Sequence, residues 1–302
     1  MKKEINSQIN WIDLVNPTDE DLNHLKQKYD LHEILISELK EPSTRTKIEI
    51  YDRLMFIVYY LPNYNEEEQN SKAIEIDFLL TKDSIITVRY QNYIMIDQIF
   101  DSLKNDLSNY YLNQTPAHLL YYILEEGLTF SLRQLVHIHD KIQKIEDELF
   151  EKENHKELIK KIAIIKRDVL NQRLIARSQH PILESLKQKG VQFFGKDLEI
   201  YFNDLLGDYE KVWINLDNLK ETIESLENTN NTFFESKTNE IVKILTIITF
   251  IMFPFSVIPN MFGMNIDFIP FSTSLYGFWY VIALITFITL IFLTIIKIKK
   301  WF

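Results

Sequence analysis

Asn239, Val242, Leu245, Thr249, Phe253, Ser256, Asn260 and Gly263 recur at three- and four-residue steps through a segment rich in apolar residues. At 3.6 residues per turn such positions form one stripe along a helix, with Met252 beside Phe253 on the same side. The Asn, Thr and Ser members offer neutral oxygen atoms, which accept hydrogen bonds without carrying charge. The stripe runs into Gly263-Met264-Asn265, and the acid Asp267 follows two residues later. Polar groups facing lipid are costly, so the stripe belongs either against a partner helix or beside water. Small polar residues serve helix packing as readily as they line a pore, and the pattern alone favours neither. Two helices per chain cannot enclose a water path, so a pore requires several copies of the chain.

The elements that must hold this stripe are legible from charge. No charged residue occurs from position 244 to 266, and after Asp267 none occurs until Lys297. A helix crosses the hydrocarbon core with about 20 apolar residues. We therefore expect a transmembrane hairpin with spans over 244–262 and 275–296, an outer loop over 263–274 and a basic tail over 297–302. Lys237 and Lys243 precede the first span, Lys297, Lys299 and Lys300 follow the second, and the linker has no Lys or Arg. The positive-inside rule then puts both termini in the cytoplasm of a cell whose plasma or inner membrane the hairpin crosses. Tyr276, Trp279 and Tyr280 suit an outer interfacial belt, and Trp301 with Phe302 an inner one.

The rest of the 302-residue chain is charge-rich and carries the net charge of −10, since Asp267 is the one acid in the last 60 residues. Such acidity argues against a nucleic-acid partner. With no cysteine, thiol catalysis, disulfides and thiolate metal sites are excluded. There is no Gly-rich phosphate loop, no Gly-x-Ser-x-Gly and no His-Glu-x-x-His, so no enzymatic motif or organic cofactor is indicated. The N-terminus lacks the apolar run of a signal peptide.

Residues 9–15 read as a strand ended by Asn16-Pro17, and Thr18 with Asp21 reads as a helix-capping box. A short helix is expected over 31–39. Residues 47–61 and 73–90 are rich in β-branched and aromatic types and read as two strand pairs, the second turning at Lys82-Asp83-Ser84. Between them, 63–71 reads as a polar loop. From Pro116 the spacing becomes helical to Phe150, then again from about 157 to Arg177, with a break expected at His180-Pro181 and another across 190–195. From Asp197 no proline occurs until Pro254, which predicts one helix on the order of 95–100 Å long, reaching Phe262. Three regions are thus expected: an α/β domain over 1–115, a helical region with a stalk over 116–240, and the membrane hairpin over 241–302.

Thr238-Asn239-Glu240, the run from Lys243 to Thr249, Pro254, Phe262-Gly263-Met264-Asn265 and the ending Lys299-Lys300-Trp301-Phe302 resemble the CorA family of magnesium transporters. Weaker resemblance lies in Trp11-Ile12-Asp13-Leu14, Asn16-Pro17-Thr18, Lys47-Ile48-Glu49 and Phe56-Ile57-Val58. The resemblance implies an α+β cytoplasmic domain, an α/β/α sandwich, followed by a long stalk helix and two C-terminal transmembrane helices, assembled as a homopentameric funnel. It implies Mg2+ uptake, with Co2+ and Ni2+ also passing, gated by intracellular Mg2+. Five first spans would line the pore, which decides between the two readings of the stripe. Asn265 would form a ring at the outer mouth with Met264 packed behind it, and Asn239, Val242, Leu245, Phe253 and Ser256 match pore-lining positions.

The same resemblance implies a regulatory Mg2+ site between neighbouring subunits. Asp204 matches one of its carboxylates, Asp208 lies one turn further on the same face, and Glu66, Glu67 and Glu68 are the expected partner acids. The outer loop departs from the family pattern. Ile269-Pro270-Phe271-Ser272 stands where a second acid is usual, leaving Asp267 alone, and Pro259-Asn260 replaces a small-residue pair. A zinc transporter of the ZntB type, or a membrane-anchored Mg2+ sensor without transport, are the alternatives.

Overall fold

A computed structural model describes residues 1–151, 155–264 and 275–298, and omits the side chains of residues 150, 151, 155 and 156. It divides into two compact units, Met1–Glu227 and Asn228–Phe302.

The first unit is built on a six-stranded sheet of order β1-β2-β6-β5-β4-β3. The strands are β1 (Lys2–Asn6), β2 (Asn10–Val15), β3 (Lys47–Tyr51), β4 (Leu54–Asn65), β5 (Asn70–Leu80) and β6 (Ser84–Arg89). All pairings are antiparallel except β2 with β6, which run parallel. Strand side chains alternate between faces, and both faces here are covered. Phe56, Val58, Leu79, Ile86 and Val88 meet α1 (Asp19–Tyr29) and α2 (Glu33–Glu38) through Leu22, Leu25, Leu35 and Ile36. Ile57, Tyr59, Ile76, Phe78 and Ile85 meet the opposite helical layer. That layer contains α3 (Ile94–Asn105), α4 (Pro116–Glu151), α5 (His155–Ser185) and the first part of α7 (Glu199–Phe262). The result is the expected α/β/α sandwich.

Thr18 caps α1 in the expected box, its hydroxyl accepting from the Asp21 amide while the Asp21 carboxylate accepts from the Thr18 amide. Two expectations need correction. The polar loop over 63–71 is mostly strand, because β4 and β5 stay paired out to Asn65 opposite Asn70, leaving a short turn at 66–69. The break at Pro181 does not occur. The helix runs on to Ser185 because Ile182, Leu183 and Leu186 are buried, and because Gln179 Nε2 donates to Tyr60 O and Thr46 Oγ1 to Ser178 O. Tertiary packing there outweighs the amide that proline lacks. A π-turn (Leu186–Gly190) and the single-turn α6 (Val191–Phe194) follow, and Gly195 ends them at φ 121°, where a side chain would be strained. β1 and α3 were not anticipated.

One buried cluster fixes the parallel β2–β6 seam. Asp13 and Arg89 are both fully buried. The Arg89 guanidinium donates to Asp13 Oδ1 and Oδ2 (3.2 and 2.7 Å), to Asp97 Oδ1 and Oδ2 (2.7 and 3.3 Å), and to Tyr93 O (3.2 Å). Those contacts use all five of its N–H groups. Thr87 donates to Asp13, Trp11 Nε1 to Thr87, and Lys3 to Asp97. Arg89 and Lys3 hold the Asp97 carboxyl below its ordinary range.

Candidate functional site

The second unit contains the C-terminal part of α7 and all of α8 (Gly277–Ile298), both long and apolar enough to cross a membrane. α7 runs unbroken through Gly207 and 228–231. Ile247 and Pro254, seven residues apart, are buried on α7, and Ile285, Thr289 and Ile296 are buried on α8. The Phe250 and Phe292 rings lie 5.7 Å apart. These residues mark the seam of the hairpin.

The oxygen-bearing stripe is on the other side. At 100° per residue, Val242, Leu245, Thr249, Phe253, Ser256, Asn260 and Gly263 lie roughly 160–240° round the helix from Ile247, with Asn239 outside that arc at roughly 280°. All eight are exposed in the chain, Val242 at 53%, Leu245 at 63% and Phe253 at 57%. The stripe therefore lies largely outside the buried seam with α8. Three of its members, Leu245, Thr249 and Phe253, line a groove of about 310 Å³ together with Thr246 and Phe250 of α7 and Phe292 of α8.

The threonine hydroxyls donate back into their own helix: Thr246 to Val242 O (2.7 Å) and Thr249 to Leu245 O (2.9 Å). Thr286, Thr289 and Thr294 of α8 do the same. This back-bonding satisfies the hydroxyl hydrogen where no water is available. Pro254 and Pro259 lack an amide hydrogen, so the carbonyls of Phe250 and Phe255 lose their helical donor.

α7 ends by tightening, with Gly263 N donating to Pro259 O and Asn260 O and Met264 N to Met261 O. A Cβ on Gly263 would come no closer than 3.5 Å to neighbouring atoms, and its φ is not positive. Among the described residues, the helix end itself thus does not demand glycine. Asn265 and Asp267 lie outside the described residues.

The acids singled out for regulation fall in two places. Asp204, on α7, accepts from Tyr121 of α4 (2.7 Å), and Asp208 pairs with Lys211 (2.7 Å). Glu125, one turn beyond Tyr121, faces both, and its carboxyl is raised by burial first, then by Glu126, Asp208 and Asp204. Glu66, Glu67 and Glu68 sit in the β4–β5 turn, where the Glu68 amide donates to Asn65 and Arg167 donates to the Glu68 carbonyl. Among the described residues, no three His, Asp or Glu of one chain gather closely enough to hold a metal ion. Tyr121 and Glu125 were missed in the sequence, although their four-residue spacing in a helical run is visible there.

A family model described as CorA-like Mg2+ transporter protein matches residues 6–300. The chain is 23% identical over 296 residues to the cobalt/magnesium transport protein CorA of Thermotoga maritima, covering 96% of this chain and 83% of that one. It is 22% identical over 303 residues to the zinc transport protein ZntB of Yersinia pseudotuberculosis, covering 96% and 87%. The complete structure of the CorA magnesium transporter from Methanocaldococcus jannaschii superposes with a TM-score of 0.83 at 23% identity, covering 98% of this chain and 92% of that one.

Proposed function

The chain belongs to the CorA-like Mg2+ transporter family, and on that premise we propose that it carries divalent metal cations, Mg2+ first among them, across the cell membrane. The observation that carries this reading is the stripe from Val242 to Gly263, left open on the side of α7 away from α8 and leading to Asn265. Five copies, with their first spans inward, would close these stripes around a water path.

Mg2+ dehydrates reluctantly and prefers six oxygens in octahedral array. A ring of Asn265 carboxamide oxygens can accept hydrogen bonds from its hydration water and leave the shell intact. Neutral oxygens also bind weakly enough to let the ion move on. Asp267 gives the outer mouth one acidic ring. Toward the cytoplasm, Val242 and Leu245 form an apolar constriction that closes by dewetting. Hard neutral oxygen and the absence of Cys favour Mg2+, with Co2+ or Ni2+ as further cargo, over Zn2+. The purified protein in liposomes is expected to pass Mg2+ faster than Zn2+. Flux of Zn2+ alone would favour the ZntB reading. Failure of a folded, inserted oligomer to pass any of these ions would leave only a sensor.

For regulation, the Asp204, Asp208 and Glu125 face of one chain would meet the 66–68 turn of its neighbour, with intracellular Mg2+ bridging the two. Bridging would hold the α7 helices together and the constriction dry. Millimolar Mg2+ is then expected to protect α7 from limited proteolysis, and Asp204→Ala to remove that protection. Undiminished protection in the variant would exclude Asp204 as a ligand.

A further inference from the structure

Glu75 and Asp77 are two positions apart on β5, so both point to the α1–α2 side of the sheet. Asp77 is fully buried and Glu75 is 8% exposed. Their surroundings supply few donors. The Ser43 amide donates to Glu75 Oε1 (2.7 Å), and the Tyr90 hydroxyl donates to Asp77 Oδ2 (2.8 Å). Asp77 Oδ1 receives no donor from any other described residue.

The two carboxyls crowd one another on that buried face, and the charge of Glu75 favours a protonated Asp77. Two neighbouring buried carboxylates repel, and one hydrogen held by the pair relieves that repulsion. The Ser43 and Tyr60 hydroxyls also bear on Glu75 and favour its charged form, which leaves Asp77 as the member to hold the hydrogen. Glu38 of α2 bears on Asp77 with the wrong sign. Tyr60 of β4 gives its hydroxyl hydrogen to Ser43 O (2.7 Å). Lys47, beside Glu38, is bonded to Glu38 and Glu49.

We propose that Glu75 and Asp77 share a single proton, and that this proton is a latch fastening residues 41–46 to the sheet until rising pH removes it. Glu75 grips that segment through the Ser43 amide, and the segment in turn reaches α5 where Thr46 Oγ1 donates to Ser178 O (2.9 Å). When the proton passes to bulk water, the attraction between the carboxyls becomes a repulsion between two buried anions. Asp77 has no exit. Glu75 lies at the rim and turns outward, dropping Ser43.

Burial and the neighbouring Glu75 push the Asp77 carboxyl up to about 8. An unfolded Asp ionises at about 4. Between those values the folded chain holds one proton more than the unfolded chain, so its stability falls as pH rises through the window.

The test uses the full-length protein in bilayer discs, with Asp77→Asn as the variant. The carboxamide donates permanently to Glu75 and cannot titrate. In the parent, hydrogen exchange of 41–46, corrected for its intrinsic pH dependence, is expected to rise at least tenfold between pH 7 and 9.5. In Asp77→Asn it should stay flat, and the fall in melting temperature from pH 5 to 8 should lessen. The infrared band of a neutral carboxyl at pH 7 should disappear from the parent by pH 9.5. It should already be missing from Asp77→Asn, which retains the other raised carboxyls, Asp168 and Glu125. A parent without a titrating neutral-carboxyl band overturns the shared proton, even if the variant fails to fold. Equal loosening of 41–46 in parent and variant overturns the latch.

Discussion

Replacing Asn265 by alanine is expected to abolish Mg2+ uptake by a protein that still folds and inserts. The carboxamide is the last polar group before Asp267, and the Ala side chain accepts no hydrogen bond. A hydrogen bond to a charged group contributes about 1.5–3 kcal/mol. Losing even two of the ring's bonds to a hydrated ion therefore costs about 3 kcal/mol or more, beyond a hundredfold in occupancy. Asn265→Asp is the informative partner. It keeps the oxygens but adds five negative charges in the proposed assembly, so it should bind Mg2+ more tightly and release it more slowly. Rescue of a magnesium-dependent strain and flux into liposomes separate the three proteins. Full rescue by Asn265→Ala would remove the residue from the pathway.

The largest effect on stability is expected from Arg89→Met. The substitution leaves Asp13 as a fully buried carboxylate facing only the Thr87 hydroxyl. Breaking one side of a buried ion pair typically costs about 3–5 kcal/mol. Most of that cost belongs to the orphaned charge and not to the lost pair. The double variant Asp13→Asn with Arg89→Met should therefore recover a large part of the loss. Thermal unfolding followed by tryptophan fluorescence gives the comparison, since Trp11 donates to Thr87 within the cluster. A double variant as unstable as the sum of the singles would place the energy elsewhere.

The legible parts of the fold were those whose period is local. The β-branched and aromatic composition of 47–61 and 73–90 announces β3 to β6, and the apolar run up to Phe262 announces the end of α7. β1 was not legible because Lys2-Lys3-Glu4-Ile5-Asn6 turns one apolar side chain, Ile5, to the core. Its strand conformation comes from pairing with β2, from Lys2 opposite Leu14 to Asn6 opposite Asn10. α3 did carry a signal in Met95, Ile96, Ile99, Phe100 and Leu103, all buried at helical spacing. Pro181 misled because the contacts that hold α5 straight come from Thr46 and Tyr60, more than 100 positions away. At the site, the stripe was legible as a period, but which side of α7 meets α8 was not. The company that Tyr121 and Glu125 keep with Asp204 depends on two helices meeting, and neither segment announces it alone.

If Thr249 lines the proposed pore, the back-bonded threonines have a consequence for the sign of what can pass. A hydroxyl ordinarily greets either kind of ion, turning its hydrogen to an anion or its lone pairs to a cation. Thr249 has already given its hydrogen to Leu245 O, and Thr246 beside it to Val242 O. Only lone pairs remain to face outward, so these side chains behave as fixed electron-rich points. A chloride ion would meet no hydrogen from them, whereas a hydrated cation would find acceptors already oriented. In the proposed pore, discrimination by sign would thereby be written into the wall at these positions without a carboxylate, and no protonation equilibrium could switch it off.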